Sequence, residues 1–226
     1  MSMATVWTVA LLGAVCGLDT VSFPQAMISR PIVAATVAGA VAGSPLRGLA
    51  VGALLELFAL ETLPFGASRY PEWGSAAVVG GTLAAQFIGP DAIGLAACVA
   101  VLTAALGGLS MVWHRSLVGR WAASAHPRCE AGEVGAVVGL QLAGIGADFV
   151  RGGAVATASF LLAAPALQLV ASKALTARAL IVGPGTMLLG GAVAGAAVWK
   201  VTHGTPRALW YLAAGIASAS LLMAVL

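Results

Sequence analysis

Four carboxylates lie in a part of the chain that is apolar enough to enter a membrane. Asp19, Glu56, Glu61 and Glu72 are half of the eight acidic residues, and all of them fall within residues 19–81. A carboxylate at membrane depth is costly, so it usually faces the interior of a helix bundle or a water-filled cavity. This stretch therefore predicts a polar pocket inside a membrane protein.

Glu56 lies between Leu55 and Leu57, and no basic residue lies within a helical turn of it. Three roles are open: it accepts hydrogen bonds from a ligand, it carries a proton, or it binds backbone N–H groups freed by a broken helix. An intramembrane carboxylate favours the first two. Glu61 follows about 140° further round an ideal helix. Both acids can face one cavity only if the helix breaks between them or the cavity wraps round its end, and Pro64 favours a break nearby.

A sugar site needs carboxylates and amides for the hydroxyl groups, and an aromatic face for the C–H side of the ring. The residues that supply this set are Gln25, Glu56, Glu61, Glu72 and Trp73. A second interpretation is open for Arg69 and Glu72, which lie three positions apart. They would form a local ion pair in a loop at the membrane surface, with Tyr70 and Trp73 as interfacial anchors.

Arg30 directly precedes Pro31, so an α-helical conformation is disfavoured there. Its charge would neutralise Asp19 or a carboxylate of the segment that follows. Alternatively, Arg30 is an end charge that reaches water along its aliphatic stem. We therefore assign Asp19, Arg30 and Arg69 to charge neutralisation and structure rather than to direct substrate contact.

Neither a metal, a cofactor nor a catalytic residue is predicted. His114, His126 and His203 are scattered and have no acid or cysteine at ligand spacing, and the three cysteines have no metal-ligand spacing either. The chain also lacks a phosphate-binding P-loop, a Gly-x-Ser-x-Gly motif and a His-Glu-x-x-His motif.

The composition excludes an ordinary soluble domain. The chain is 60% hydrophobic and 8% charged, with a mean hydropathy of +1.00, whereas soluble domains carry about 25% charged residues. A helical span takes roughly 20 apolar residues, so one all-α membrane domain, 1–226, has room for about eight to ten membrane-spanning or re-entrant segments. The pI of about 9.1 reflects a net charge of only +3, which indicates loop charges rather than a nucleic-acid surface.

The pocket-forming region 19–81 is interrupted by Pro24, Pro31, Pro45, Pro64 and Pro71. Broken backbone at membrane depth is tolerated where it is buried in protein or lines a cavity, and transporters often bind substrates at such places. The apolar run 31–43 is too short to cross a bilayer. It predicts one arm of a re-entrant hairpin whose other arm is 48–63, joined by a Gly- and Pro-containing turn.

Residues 114–133 are the most polar stretch and predict a cytoplasmic loop by the positive-inside rule. The remaining apolar runs are 4–18, 75–89, 92–113, 134–147, 153–172, 179–199 and 208–226. Charge counting leaves the orientation of the runs after 133 open. The short run 134–147 precedes Asp148 much as 31–43 follows Asp19, which is typical of an internal repeat around a midplane site.

Several motifs in this region resemble one family. Ser29-Arg30-Pro31 precedes a small apolar run, Gly48–Gly52 leads into Leu55-Glu56-Leu57-Phe58, and Gly66-Ala67 and Pro71-Glu72 follow in order. This pattern resembles the enzyme IIC subunits of the mannose/fructose/sorbose-family phosphotransferase system over about residues 13–85. Glu56 and Glu72 match the motif acids of that family, and Gln25 falls at a commonly polar position.

The resemblance implies a multi-pass sugar permease subunit of the bacterial cytoplasmic (inner) membrane. It implies an enzyme IID membrane partner, assembly as a trimer of such heterodimers, and phosphoryl transfer to the sugar from a histidine on a separate enzyme IIB. Pro64 replaces a polar amide common in sugar-binding members, and Glu61 is an extra acid. Two alternatives therefore stay open: a proton- or ion-coupled transporter that uses Glu56 and Glu61, and a membrane scaffold or sensor that does not transport.

Overall fold

The computed structural model describes residues 2–60, 70–87 and 91–176, with isolated positions between 195 and 214. Within these ranges every regular element is a helix, which confirms the all-α prediction. The helices are α1 (Met3–Val21), α2 (Pro31–Val41), α3 (Pro45–Ala59), α4 (Trp73–Gln86), α5 (Asp91–Glu130) and α6 (Val134–Thr176). The helices α1, α5 and α6 are long and apolar enough to cross a membrane. The number of about eight to ten segments stays a prediction, because most of the runs 179–199 and 208–226 lies outside the described residues.

Helices α2 and α3 form an antiparallel hairpin where the sequence predicts one. Pro31 and Pro45 occupy the first turns of the two helices, where the missing N–H costs nothing and the fixed φ suits a helix. Gly43 turns the chain at a φ of +97°. The arms touch at Gly39 and Gly48, since a Cβ added to Gly39 would lie 2.7 Å from the Gly48 Cα. At about 17 and 23 Å long, neither arm spans a bilayer.

Helix α4 forms the centre of the bundle. Every residue from Trp73 to Ala84 is buried, and α4 packs against all five other helices. Arg47 of α3 closes its C-terminal end, because its guanidinium donates hydrogen bonds to the carbonyl oxygens of Ala84, at 3.2 Å, and Phe87. These hydrogen bonds connect the hairpin to the central helix. The N-terminus of α4 lies at the same end of the bundle as Pro31, where α2 begins.

Two sequence-based predictions about the second half are wrong. Residues 114–130 are the continuation of helix α5 rather than a loop, and only 131–133 form the turn before α6. No residue between 112 and 130 is buried within this chain, so this part of α5 projects beyond the helices packed against it. Exposed polar side chains cost little there and do not end the helix. The cytoplasmic position of this part stays a prediction.

The runs 134–147 and 153–172 are not separate segments either, because both belong to the single helix α6. The polar interruption between them is accommodated by packing. Asp148 pairs with Ser22, which follows α1, and with His114 of α5, and Arg151 pairs with Glu72, which precedes α4. Gly152 lets α1 approach so closely that an added Cβ would lie 2.6 Å from the Gly13 carbonyl oxygen. The run 134–147 is thus not a short helix that matches α2, and within residues 91–176 the proposed repeat has no such counterpart.

Candidate functional site

Four charged residues, two of them buried, converge at one end of the short helices. Asp19 lies near the end of α1, Arg30 precedes α2, Glu56 lies near the end of α3, and Glu72 immediately precedes α4. A cavity of about 360 Å³ opens among them and is called here the Asp19 cavity. Its polar and aromatic lining includes Asp19, Gln25, Ser29, Arg30, Tyr70 and Trp73.

Asp19 organises the loop that carries Gln25. Its buried carboxylate accepts hydrogen bonds from the backbone N–H groups of Ala26, at 2.6 Å, and Ser29, at 2.8 Å. The loop contains two left-handed residues, Gln25 at φ 57° and Met27 at φ 62°, a conformation that costs a non-glycine residue roughly 1–2 kcal/mol. The two hydrogen bonds to Asp19 offset this cost and hold Gln25 at the cavity wall.

Arg30 and Glu56 form an ion pair beside the cavity. Arg30 has the extended backbone expected before a proline. The second oxygen of Glu56 accepts the backbone N–H of Ile32 at 3.1 Å, one of the unpaired N–H groups that begin a helix. Both carboxylate oxygens of Glu56 are therefore engaged, and Arg30 rather than Glu56 lines the Asp19 cavity.

Glu72 is fully buried and lies behind the cavity wall. One carboxylate oxygen is 2.8 Å from Nη1 of Arg151, and the other accepts the Ser75 hydroxyl at 2.7 Å. The backbone N–H of Glu72 donates to the Ala104 carbonyl oxygen at 2.9 Å. The carboxylate thus points away from the Asp19 cavity, while Tyr70 and Trp73 face it.

Arg151 and Ser75 are not among the residues that the sequence predicted for the site. The signal for Arg151 was present, since a charge within an apolar run is a functional candidate by default. Its partner could not be found this way, because Glu72 is 79 positions away. Arg151 is buried along with Glu72, and the pairing depends on how α6 packs against α4.

Aromatic rings form one side of the Asp19 cavity. The Phe58 and Trp73 rings stack with centroids 5.8 Å apart. The Arg115 guanidinium lies 5.2 Å from the centroid of the Tyr70 ring, a distance at which a cation is attracted to the ring face. Both Tyr70 and Trp73 are nearly buried, so their orientation is set by packing.

A second cavity, the Asp148 cavity, lies between the end of α1 and helices α5 and α6. It has a volume of about 560 Å³, and its polar lining consists of Ser22, His114, Arg115, Gln141 and Asp148. Ser22 donates a hydrogen bond to Asp148, and Nδ1 of His114 lies 3.3 Å from the other oxygen of that carboxylate. Arg115 lines this cavity and contacts Tyr70 of the Asp19 cavity, so the two cavities share a wall.

The chain matches the sequence model of the family described as the PTS system sorbose-specific IIC component over residues 3–223. It belongs to this family. The sorbose-specific EIIC component of Klebsiella pneumoniae is 27% identical over 119 residues, which are 52% of this chain and 44% of that protein. The match thus spans less than half the length of this curated relative. The predicted family is confirmed.

Two solved structures share the fold of this IIC-family chain. One, described as a membrane protein, has a TM-score of 0.69 at 20% identity over 100% of this chain and 95% of that chain. The other, a complex of the mannose transporter ManYZ with microcin E492, has a TM-score of 0.64 at 19% identity over 100% and 94%. With three apolar spans among its described residues, this IIC-family chain is a multi-pass membrane protein.

In this IIC-family protein the predicted site residues fall into three groups. Gln25 and Trp73 line the Asp19 cavity with Asp19 and Arg30. Glu56 and Glu72 form ion pairs behind its wall. Glu61 and Arg69 lie outside the described residues.

Proposed function

We propose that this chain is the membrane transport subunit of a phosphotransferase sugar uptake system, and that the sugar binds in the Asp19 cavity. The observation that carries the proposal is the lining of that cavity, where the amide of Gln25 and the guanidinium of Arg30 lie with the rings of Tyr70 and Trp73. Membership of the sorbose-specific IIC family supports the same assignment.

The chemistry of the lining suits a sugar. Gln25 offers both a donor and an acceptor, and Arg30 offers donors only, while an aromatic ring packs against the C–H face of a pyranose. Glu56 acts here by holding Arg30 at the cavity rather than by touching the sugar. Glu72 acts by holding the wall, and Glu61 stays a predicted ligand. Engagement of both Glu56 oxygens supports this role over that of a proton carrier.

We further propose the assembly that the family resemblance implies. A IID membrane partner and a separate IIB chain that donates the phosphoryl group from a histidine would complete the system, as a trimer of IIC–IID pairs in the bacterial cytoplasmic membrane. The projecting parts of α5 and α6 support a partner. Trp113 is 85% exposed, and Val134 and Leu142 are also exposed, which leaves apolar surface for protein or lipid to cover.

Reconstitution tests this function. The chain co-expressed with its IID partner should bind sorbose or mannose, the sugars in the names of its relatives, and should take the sugar up as its phosphate only when a phosphorylated IIB is supplied. Trp73→Ala should abolish binding in a folded complex. Uptake that is unaffected by omitting IIB would instead support the ion-coupled alternative. Absence of binding and uptake for both sugars would contradict the proposal.

A further inference from the structure

Glu72 and Arg151 form an ion pair that is almost completely excluded from water. Glu72 has no exposed surface, and Arg151 is 8% exposed. Removing one member of such a pair leaves an unpaired buried charge, which is strongly destabilising. An apolar pair of similar volume is often as stable, so stability alone does not account for the presence of these charges.

The position of Glu72 suggests what the pair does. Glu72 lies between Pro71 and Trp73, in the short segment Tyr70–Trp73 whose other three residues line the Asp19 cavity. The backbone of this segment rests directly on α5. A Cβ added to Gly108 would lie 2.5 Å from the Tyr70 carbonyl oxygen, and one added to Gly107 would lie 2.8 Å from a carboxylate oxygen of Glu72. The segment is thus held from both sides, by the glycines of α5 and by Arg151 of α6.

We propose that Arg151 is a positioning residue for the sugar cavity. Acting through Glu72, it fixes the orientation of Tyr70 and Trp73 and so sets the affinity of the cavity for its ligand. Arg151 does not line the Asp19 cavity and does not touch the ligand. This inference rests on the proposed function of that cavity as the sugar site.

Arg151 reaches the segment Tyr70–Trp73 from α6. Its Nη1 donates hydrogen bonds to Glu72, at 2.8 Å, and to the Ser110 hydroxyl of α5, at 3.3 Å. Its Nε lies 3.8 Å from Asp148 and, like Nη2, is buried without a hydrogen-bond partner among the described residues. Lysine carries its charge on a flexible stem rather than on a planar guanidinium, so Arg151→Lys keeps the charge while it loosens the geometry.

The matched variants are Arg151→Lys, Trp73→Phe, the double variant, and Thr157→Val as the control on α6. The Thr157 hydroxyl is buried and has no hydrogen-bond partner among the described residues, so its replacement leaves the Glu72 contacts in place. The full chain with its membrane partner is titrated with mannose and with sorbose, and the dissociation constant per folded molecule is measured beside the melting temperature. Backbone hydrogen exchange of residues 70–76 is recorded without sugar.

Arg151→Lys should weaken binding roughly 2- to 150-fold, the range of coupling between contacting residues, and should speed exchange in residues 70–76. In the Trp73→Phe background the same change should have a smaller effect on binding, because both substitutions act on one wall. Thr157→Val should alter neither quantity.

Unchanged affinity and unchanged exchange in Arg151→Lys, with only a lower melting temperature, would overturn the proposal, as would full additivity in the double variant. If the wild-type protein binds neither sugar but exchange still accelerates in Arg151→Lys, the sugar assignment fails and the positioning role stands. If Arg151→Lys does not fold, Ser110→Ala removes only one contact of the guanidinium. It should then give a smaller change in the same direction, and no change would overturn the proposal.

Discussion

The Arg30 guanidinium binds the Glu56 carboxylate, which also accepts the first free N–H of α2, from Ile32. One carboxylate near the C-terminus of α3 thus fixes both the backbone that begins α2 and a cation at the Asp19 cavity. The arrangement joins the two arms of the hairpin at their open end, opposite the Gly43 turn. It also places a positive charge where a ligand hydroxyl can accept hydrogen bonds.

We expect Arg30→Ala to destabilise the protein and to weaken sugar binding. Glu56 would lose its cation and keep only one hydrogen bond, and loss of a charge-assisted hydrogen bond costs about 1.5–3 kcal/mol. The Arg30 side chain is 36% exposed. Water therefore compensates part of the lost interaction, and we expect a cost at the lower end of that range. Thermal melting in detergent measures the change, with Arg30→Lys as the control that keeps the charge. An unaltered melting temperature in Arg30→Ala would show that the pair does not hold the hairpin.

Glu56→Gln separates the roles considered for this acid. The amide oxygen can still accept the Ile32 N–H, but the charge that holds Arg30 is gone. We expect sugar affinity to fall about ten- to a hundredfold, equivalent to a loss of about 1.5–3 kcal/mol. Binding, uptake and melting are measured on one preparation. Retained binding with abolished uptake would point to proton carriage, and normal values for all three would mean that the carboxylate has no role in function.

Gln25→Gly should change stability and binding in opposite directions. Gln25 has a φ of 57°, and glycine adopts this conformation without the side-chain penalty, so stability should hold or rise by up to about 1 kcal/mol. Loss of the amide should weaken sugar binding at the same time. Thermal melting and sugar titration of the same sample test the expected changes in stability and in affinity. Gln25→Asn serves as the control, since asparagine tolerates a left-handed backbone and retains an amide. Wild-type affinity in Gln25→Gly would remove this residue from the site.

Gly152→Ala should destabilise the crossing of α1 and α6. Its Cβ would lie 2.6 Å from the Gly13 carbonyl oxygen, and forcing an extra group into a packed contact costs about 1–3 kcal/mol. Gly146→Ala in the same helix is the matched control, because no atom of the described residues lies within 4 Å of its added Cβ. That variant should be stable or slightly more stable through helix propensity. Equal melting temperatures for the two variants would contradict the close helix contact.

The sequence by itself determined those features that depend on composition and on local chemistry. The membrane class follows from a mean hydropathy of +1.00 and 8% charged residues, whereas typical soluble domains carry about 25% charged residues. The α2–α3 hairpin follows from prolines that suit first helical turns and from a glycine that permits a positive φ. These features depend on a few neighbouring residues, so they can be predicted without knowledge of the rest of the fold. The family was recognisable for a similar reason, since its motifs lie within one continuous stretch.

Only the tertiary structure decided which charges meet and where the long helices end. Glu56 lies 26 positions from Arg30 and Glu72 lies 79 from Arg151, so both pairings depend on how the helices pack. The same packing decides that α6 runs unbroken past Asp148 and Arg151. A charge within a membrane helix costs free energy unless it has partners, and here the partners are Ser22 after α1, Glu72 before α4, and His114 and Ser110 on α5. Local sequence cannot supply that information, because the free energy of a buried charge is set by the groups that surround it in space.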